Sequence, residues 1–350
     1  MTSCITNCRS KRISIFIILI SILFSATFSA FASEEEVNLY SARKEALILP
    51  LLKIFEAKTG IKTNLITAKA DALLKRLELE GRASPADVFI TTDAGRLFRA
   101  LDAKVLRPIT NQSTLDSVPA NLRDPNGYWV ALSIRARTIM YAKDRVNPDQ
   151  LSTYEALAEP QWKGRVCIRS SSNIYNQSMV ASMIEHRGVE QTEQWAKSLV
   201  ANMARPPAGG DTDQLRATAA GVCDVAIANT YYFARLLKST KSKDTDVANK
   251  LGLFWPNQAD RGTHVNISGA AITRYAKNPE AAERLIAFLL EPEAQKWYGE
   301  ENNEYPVISD TKISATLKSL GSFKSDDLPL AILGSNNRAA VELMDRAGWR

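Results

Sequence analysis

The sequence predicts an α/β protein of two similar units, each a parallel sheet covered by helices. Three observations carry this. Short β-like runs alternate with amphipathic helical stretches from residue 37 onward, the same rhythm starts again after residue 165, and two Pro-free β-like runs, Trp129 to Ile134 and His264 to Ile272, stand at the junctions.

In the first unit Val37 to Tyr40 reads as a strand. Pro50 then suits a first helical turn, with Leu51, Ile54 and Phe55 forming an apolar stripe and Gly60 a stop. Ile61 to Ile66 is β-like, Ala70 to Glu80 helical, and Ala86 to Ile90 a strand before Thr91-Thr92-Asp93. In the second unit Val166 to Ile168 is a strand, followed by the turn Ser170-Ser171-Ser172 and a helix carrying Met179, Val180, Met183 and Ile184. Trp195 and Leu199 mark a further helix, and Asp211 reads as the cap of the next. Val222 to Ile227 is a buried strand ending at Asn229-Thr230-Tyr231-Tyr232. The polar run Lys238 to Lys250 reads as a surface loop, and Leu251 to Phe254 resumes a strand. Helices over Pro279 to Leu290 and Pro292 to Tyr298 complete the first unit if the chain returns through His264 to Ile272, so the two junction runs form a hinge.

The N-terminus is set apart. Arg9, Lys11 and Arg12 precede the apolar run Ile13 to Phe28, which leads to Ala30-Phe31-Ala32 and then three glutamates. This is the pattern of a secretory signal cleaved after Ala32, with an uncleaved anchor as the competing reading. Removing it lowers the net charge from +6 and leaves 41 basic against 38 acidic residues. So mild an excess, without a basic cluster interleaved with aromatics, gives no case for nucleic-acid binding. Nothing later is apolar for long enough to cross a bilayer, so a soluble exported protein is expected. Cys4 and Cys8 leave with the signal, and Cys167 and Cys223 remain, either as one disulfide or as two buried thiols.

With two His and four Cys in 350 residues, zinc, copper and iron–sulfur sites have almost nothing to be built from. There is no nucleophile elbow, phosphate loop, dinucleotide fingerprint or zinc-protease motif. His186 and His264 lack a recognisable triad partner, so no enzyme is expected. The ten tyrosines are more informative. Tyr40, Tyr175 and the Tyr231-Tyr232 pair fall at or just beyond the carboxyl ends of expected strands, where open α/β sheets place their ligands. Cys167 precedes Tyr175 by eight residues and Cys223 precedes Tyr231 by eight, so neighbouring strands in register would bring cysteines and tyrosines together. The alternative is core aromatics with hydroxyls reaching solvent. Converging phenolates are hard anionic donors suited to a hard cation such as Fe³⁺, and nearby cations help keep them ionised. Arg235 lies one helical turn beyond Tyr231, and Arg135 and Arg137 share one side of a β-like run, unless they are solvated surface arginines.

Asn38-Leu39-Tyr40-Ser41-Ala42-Arg43, Ser84-Pro85-Ala86-Asp87-Val88, Ser133-Ile134-Arg135-Ala136-Arg137, Ile168-Arg169-Ser170 with Tyr175-Asn176-Gln177, Ala228-Asn229-Thr230-Tyr231-Tyr232 and Glu304-Tyr305-Pro306-Val307 together resemble the ferric-iron substrate-binding proteins of bacterial ABC transporters, in order across nearly the whole mature chain. The resemblance implies a two-lobed type II periplasmic-binding-protein fold with two crossover hinge strands. Residues 1–32 would be the signal, 33–132 plus 267–350 lobe 1, and 133–266 lobe 2. It implies a periplasmic, monomeric carrier that holds Fe³⁺ between the lobes and passes it to an ABC permease at the inner membrane. Tyr231 and Tyr232, then Tyr175 and Tyr40, carry over as ligands, with Arg135 beside a synergistic carbonate or as nearby charge and Arg235 as a second such residue. Lobe closure would bring Tyr40 against the other three. Some relatives supply a histidine after the first strand and an acidic ligand after the Ala-Asp-Val strand. Here those regions read Ser41-Ala42-Arg43 and Ile90-Thr91-Thr92, and Asp93 reads more simply as a helix cap. The alternative is a carrier for a small organic or oxyanion ligand in the same cleft, recognised by Arg135, Arg137 and the aromatics.

Overall fold

A computed structural model describes residues 35–350, and the expected secretory signal, with Cys4 and Cys8, lies outside them. Ten strands occur among the described residues: β1 (Glu36–Ser41), β2 (Lys62–Thr67), β3 (Val88–Thr92), β4 (Leu106–Arg107), β5 (Val130–Ala142), β6 (Val166–Cys167), β7 (Val225–Asn229), β8 (Leu251–Phe254), β9 (Val265–Thr273) and β10 (Tyr305–Pro306). Their main path runs β2-β1-β3-β9-β5-β7-β6, with β4 on β9 and both β8 and β10 on β5.

The first β-α-β units form as the sequence dictates. Pro50 sits in the first turn of the helix Leu49–Thr59, where its missing N–H has no partner to lose. Gly60 ends that helix at φ +74°, donating its N–H to the Glu56 carbonyl. β1 then lies parallel between β2 and β3. At the other end of the sheet β6 and β7 are likewise parallel. The strands between them are antiparallel: β3 with β9, β9 with β5, and β5 with β7. The sheet is therefore mixed, because each long connecting strand runs counter to the unit it pairs with, β9 to β3 and β5 to β7.

β5 decides the architecture. Its first half, Val130 to Ala136, pairs with β9, and from Arg137 to Tyr141 it pairs with β7. One apolar core gathers side chains from 37–132 and 267–333, a second gathers 139–227, and a third packs Ala136 and Met140 of β5 with Leu215, Phe233, Tyr305 and Leu317. Thirteen continuous residues of one strand thus span two separately packed halves. The expected division places 267–350 wholly in the first lobe. The last helix, Asn337–Arg346, instead joins the second core through Ala340, Leu343 and Met344, and Trp349 meets Trp195 edge-on at 6.2 Å. Those apolar residues recur on one helical face, which has to be buried somewhere.

Three local expectations change. Residues Ser242–Lys250 form a helix rather than a loop: Ala248 is its one fully buried side chain, and Asp244 in its first turn accepts from Ser239 and Arg216. So polar a helix carries almost no apolar periodicity to betray it. Asp211 is the first residue of the helix Asp211–Ala219 rather than its cap, the cap position belonging to Gly210. Val222 is half exposed, and the buried strand begins at Val225.

Candidate metal centre

Two helix starts supply the phenols. Asn229 ends β7 and Tyr231 and Tyr232 fall in the first turn of the helix Thr230–Leu237. Asn173 caps the helix Ile174–Arg187, its Oδ1 accepting the Tyr175 N–H at 3.2 Å. Because β6 and β7 are neighbours, both starts emerge at the same end of the sheet. The disulfide Cys167–Cys223 locks them together, with a Cα–Cα distance of 5.9 Å. The strands are not in the register suggested by the matched spacings, since Cys167 lies opposite Ala226. Cys223 lies in the turn before β7, which the Asp224 N–H holds against the Arg165 carbonyl at 2.8 Å, alongside β6.

Arg135 organises the phenols. It projects from β5, is 5% exposed, and places its guanidinium carbon 4.7 Å and 4.6 Å from the ring centroids of Tyr175 and Tyr231. Its Nη2 donates to the Tyr175 oxygen at 3.1 Å and also to the Tyr231 oxygen. Tyr231 accepts a second bond from Asn229 Nδ2 at 3.1 Å, so its oxygen faces two donors. Tyr232 lies against Tyr231 with centroids 4.4 Å apart, and Arg235 stands 4.9 Å and 5.2 Å from the two rings.

Burial and charge oppose each other here. Burial raises the Tyr175 phenol, but the charge and hydrogen bond of Arg135 overcome it and bring the group down to about 8. Tyr231 shares the same cation yet is pushed up, because its burial is complete and phenolates at Tyr175 and Tyr232 would repel its own. Burial likewise raises Tyr232. Of the three, only Tyr175 is brought below its ordinary value. Arg135 itself is held charged, against its burial, by Tyr175, Tyr231 and Glu304.

Tyr40 does not join this cluster. It lies on the same face of β1 as Asn38, and its hydroxyl donates to Glu80 Oε2 at 2.9 Å, with Arg76 at 4.8 Å over its ring. Burial, then Glu80, pushes its phenol up to about 12. It is a buried tyrosine fastened to the helix Ala70–Glu80.

Arg137 is also committed internally, to Asp211, Asn229 and Asn176. Asp93 is the cap of the helix Ala94–Asp102, as expected, accepting the Gly95 N–H. Its Oδ1 also accepts from Ser178 Oγ at 2.7 Å, in the second half of the molecule. His264 shares a small polar cavity with Arg135, Arg137, Tyr175, Asn229 and Asn266. Burial, then Arg137 and Arg261, depress it to about 3, so its imidazole is neutral.

Sequence reasoning assigned no role to Glu304 or Arg43. Glu304 is buried and accepts from Arg43, Ser133 and Ser268, with Oε1 3.5 Å from Arg135 Nε. Arg43 and Glu304 are separated by 261 residues. The signal available was a charged residue at the head of the short extended motif Glu304-Tyr305-Pro306-Val307. Among the described residues, no three His, Cys, Asp or Glu side chains gather where they could hold a metal ion.

Residues 83–325 match the family model described as bacterial extracellular solute-binding protein. The chain is 46% identical over 317 residues to Iron uptake protein A1 of Synechocystis, covering 91% of this chain and 88% of that protein. Among solved structures it is similar to the Trichodesmium protein in complex with iron and citrate, at 51% identity and TM-score 0.88, over 90% of this chain and all of that one. It is similar also to the ferric binding protein of Campylobacter jejuni, at 41% identity and TM-score 0.85, over 90% of this chain and all of that one. With its two half-sheets joined through β5, the chain belongs to the family of bacterial extracellular solute-binding proteins.

Proposed function

We propose that this chain is an exported carrier that captures ferric iron through the phenolate oxygens of Tyr175, Tyr231 and Tyr232 and delivers it to an ABC permease. The observation that carries this is the convergence of three phenols on one buried guanidinium at adjacent helix starts. A hard trivalent cation draws such oxygens into the ionised state, and Arg135 lowers the cost of the first ionisation. Tyr40 is withdrawn from the ligand set. Three phenolates leave coordination positions open, and a synergistic anion fills them, whether carbonate or a carboxylate such as the citrate in the Trichodesmium structure. Arg135 and Arg235 supply the cationic rim for it. The reading as a carrier for an organic or oxyanion ligand is weaker, because Arg137 is already consumed by Asp211, Asn229 and Asn176.

The carrier acts as a periplasmic monomer without catalytic activity, its signal removed after Ala32. The lobes, dividing near 132/133 and 266/267 with the last helix crossing back to the second, pivot on β5 and β9, and β5 exchanges partners between Ala136 and Arg137. The test is optical. Ferric citrate added to the metal-free protein should raise a visible phenolate-to-iron band, and Tyr231→Phe with Tyr232→Phe should abolish it. A colourless wild type that retains no iron on desalting overturns the reading.

A further inference from the structure

We propose that Glu304 is a positioning residue for the phenol cluster, holding the Arg135 guanidinium from behind so that its far edge stays between Tyr175 and Tyr231. This deepens the ferric reading and rests on it for its consequence, though not for its geometry.

The anchor is built from three separate stretches of chain. Ser133 of β5 pairs directly with Ser268 of β9, and both hydroxyls donate to Glu304 Oε2 at the crossing of the two connecting strands. Arg43, from the loop after β1, donates Nη2 to the same oxygen and Nη1 to Oε1 at 3.4 Å. The carboxylate precedes β10, whose Pro306 lies opposite that same Ser133. Four donors from these stretches leave Glu304 one place to be. Its Oε1 then faces Arg135 Nε at 3.5 Å, with both side chains 4% exposed.

Arg135 is gripped at its two ends. Nη2 donates to both phenol oxygens, whereas Nε is held by charge, 3.5 Å from the carboxylate and without a hydrogen bond. A guanidinium is planar and rigid, so fixing one edge aims the other. Without Glu304 the phenols alone would have to hold it, and Arg43 and Arg135 would stand buried with no anion between them. Burial drives the Glu304 carboxyl up, but Arg43 and Arg135 overcome this and keep it ionised.

The test uses the mature chain labelled with ¹⁵N-arginine. The Arg135 Nε–H resonance, assigned by its loss in Arg135→Lys, is followed first without metal in Glu304→Gln, which keeps the shape and removes the charge, and in Glu304→Asp, which keeps the charge. The Gln variant should displace or broaden that resonance and hold iron about tenfold less well against citrate, while Asp restores both in part. An Arg135 resonance unmoved in Glu304→Gln overturns the proposal, as does an Asp variant no nearer wild type than Gln. If Glu304→Gln does not fold, Ser268→Ala removes one donor to the carboxylate and leaves every charge in place. It should shift the same resonance by a smaller amount, and no shift there overturns the proposal too. Because the resonance is read without metal, a wild type that fails to bind iron defeats the ferric reading and leaves this result standing.

Discussion

Replacing Arg135 with methionine should raise the pH at which Tyr175 ionises. Arg135 brings Tyr175 down to about 8 against the opposing effect of burial, the reference value being 10.0. Without the guanidinium, burial is opposed only by the Tyr231 hydrogen bond and the Arg96 charge, so Tyr175 ionises at higher pH than in the wild type. At neutral pH each unit of that rise lowers the ionised fraction about tenfold, or about 1.4 kcal/mol. The linkage has a definite sign. A phenol that is more acidic folded than unfolded adds stability that is complete above pH 10 and disappears as the pH falls through about 8. The stability deficit of Arg135→Met relative to wild type should therefore widen between pH 8 and pH 10. The assay is near-ultraviolet titration of the metal-free protein, with Tyr175→Phe to identify the earliest step. If Arg135→Met begins to ionise at the same pH as wild type, the electrostatic role given to Arg135 is wrong.

Other outcomes follow from the same geometry. The disulfide closes a sequence separation of 56 residues, and the loop-entropy estimate makes its removal in Cys167→Ala with Cys223→Ala cost about 4 kcal/mol; denaturant unfolding measures this, and a loss under 1 kcal/mol contradicts it. Tyr40→Phe should leave the ferric band unchanged and lose about 1 kcal/mol of stability, because Glu80 keeps Arg76 and Ser84; a bleached band would return Tyr40 to the ligand set. Acidification should release iron as protons compete for the phenolates, followed by the loss of colour on lowering the pH, and colour that survives until the protein unfolds would contradict phenolate ligation.

Much of this was legible in the sequence, for physical reasons that also explain the failures. Strand and helix periodicities placed β1 and the helices after it correctly, and β7 with its start three residues early, because burying one face of each element leaves a local pattern. Tyr40 stands apart from the other phenols because a strand-end position does not say which face a side chain takes. Its face carries the helix Ala70–Glu80, whose Glu80 captures the hydroxyl. The cysteines were rightly brought together for a partly wrong reason: equal spacings suggested register, whereas Cys223 lies in a turn opposite no strand residue. The Arg43–Glu304–Arg135 chain was hidden because its members come from distant stretches, and a buried charge has no local signature until its partner is known. The fate of the C-terminal helix was obscure for a similar reason. Its apolar face announces burial without naming the half of the molecule that buries it.

The central claim is that three phenolates from one half of the molecule, and not Tyr40, hold the metal. A crystal structure of the protein with ferric citrate, using anomalous scattering to place the iron, tests this most directly. The account requires iron bonded to the oxygens of Tyr175, Tyr231 and Tyr232, with Arg135 beside the phenolates and Tyr40 still on Glu80. Iron bound elsewhere, or coordinated by Tyr40, would contradict it.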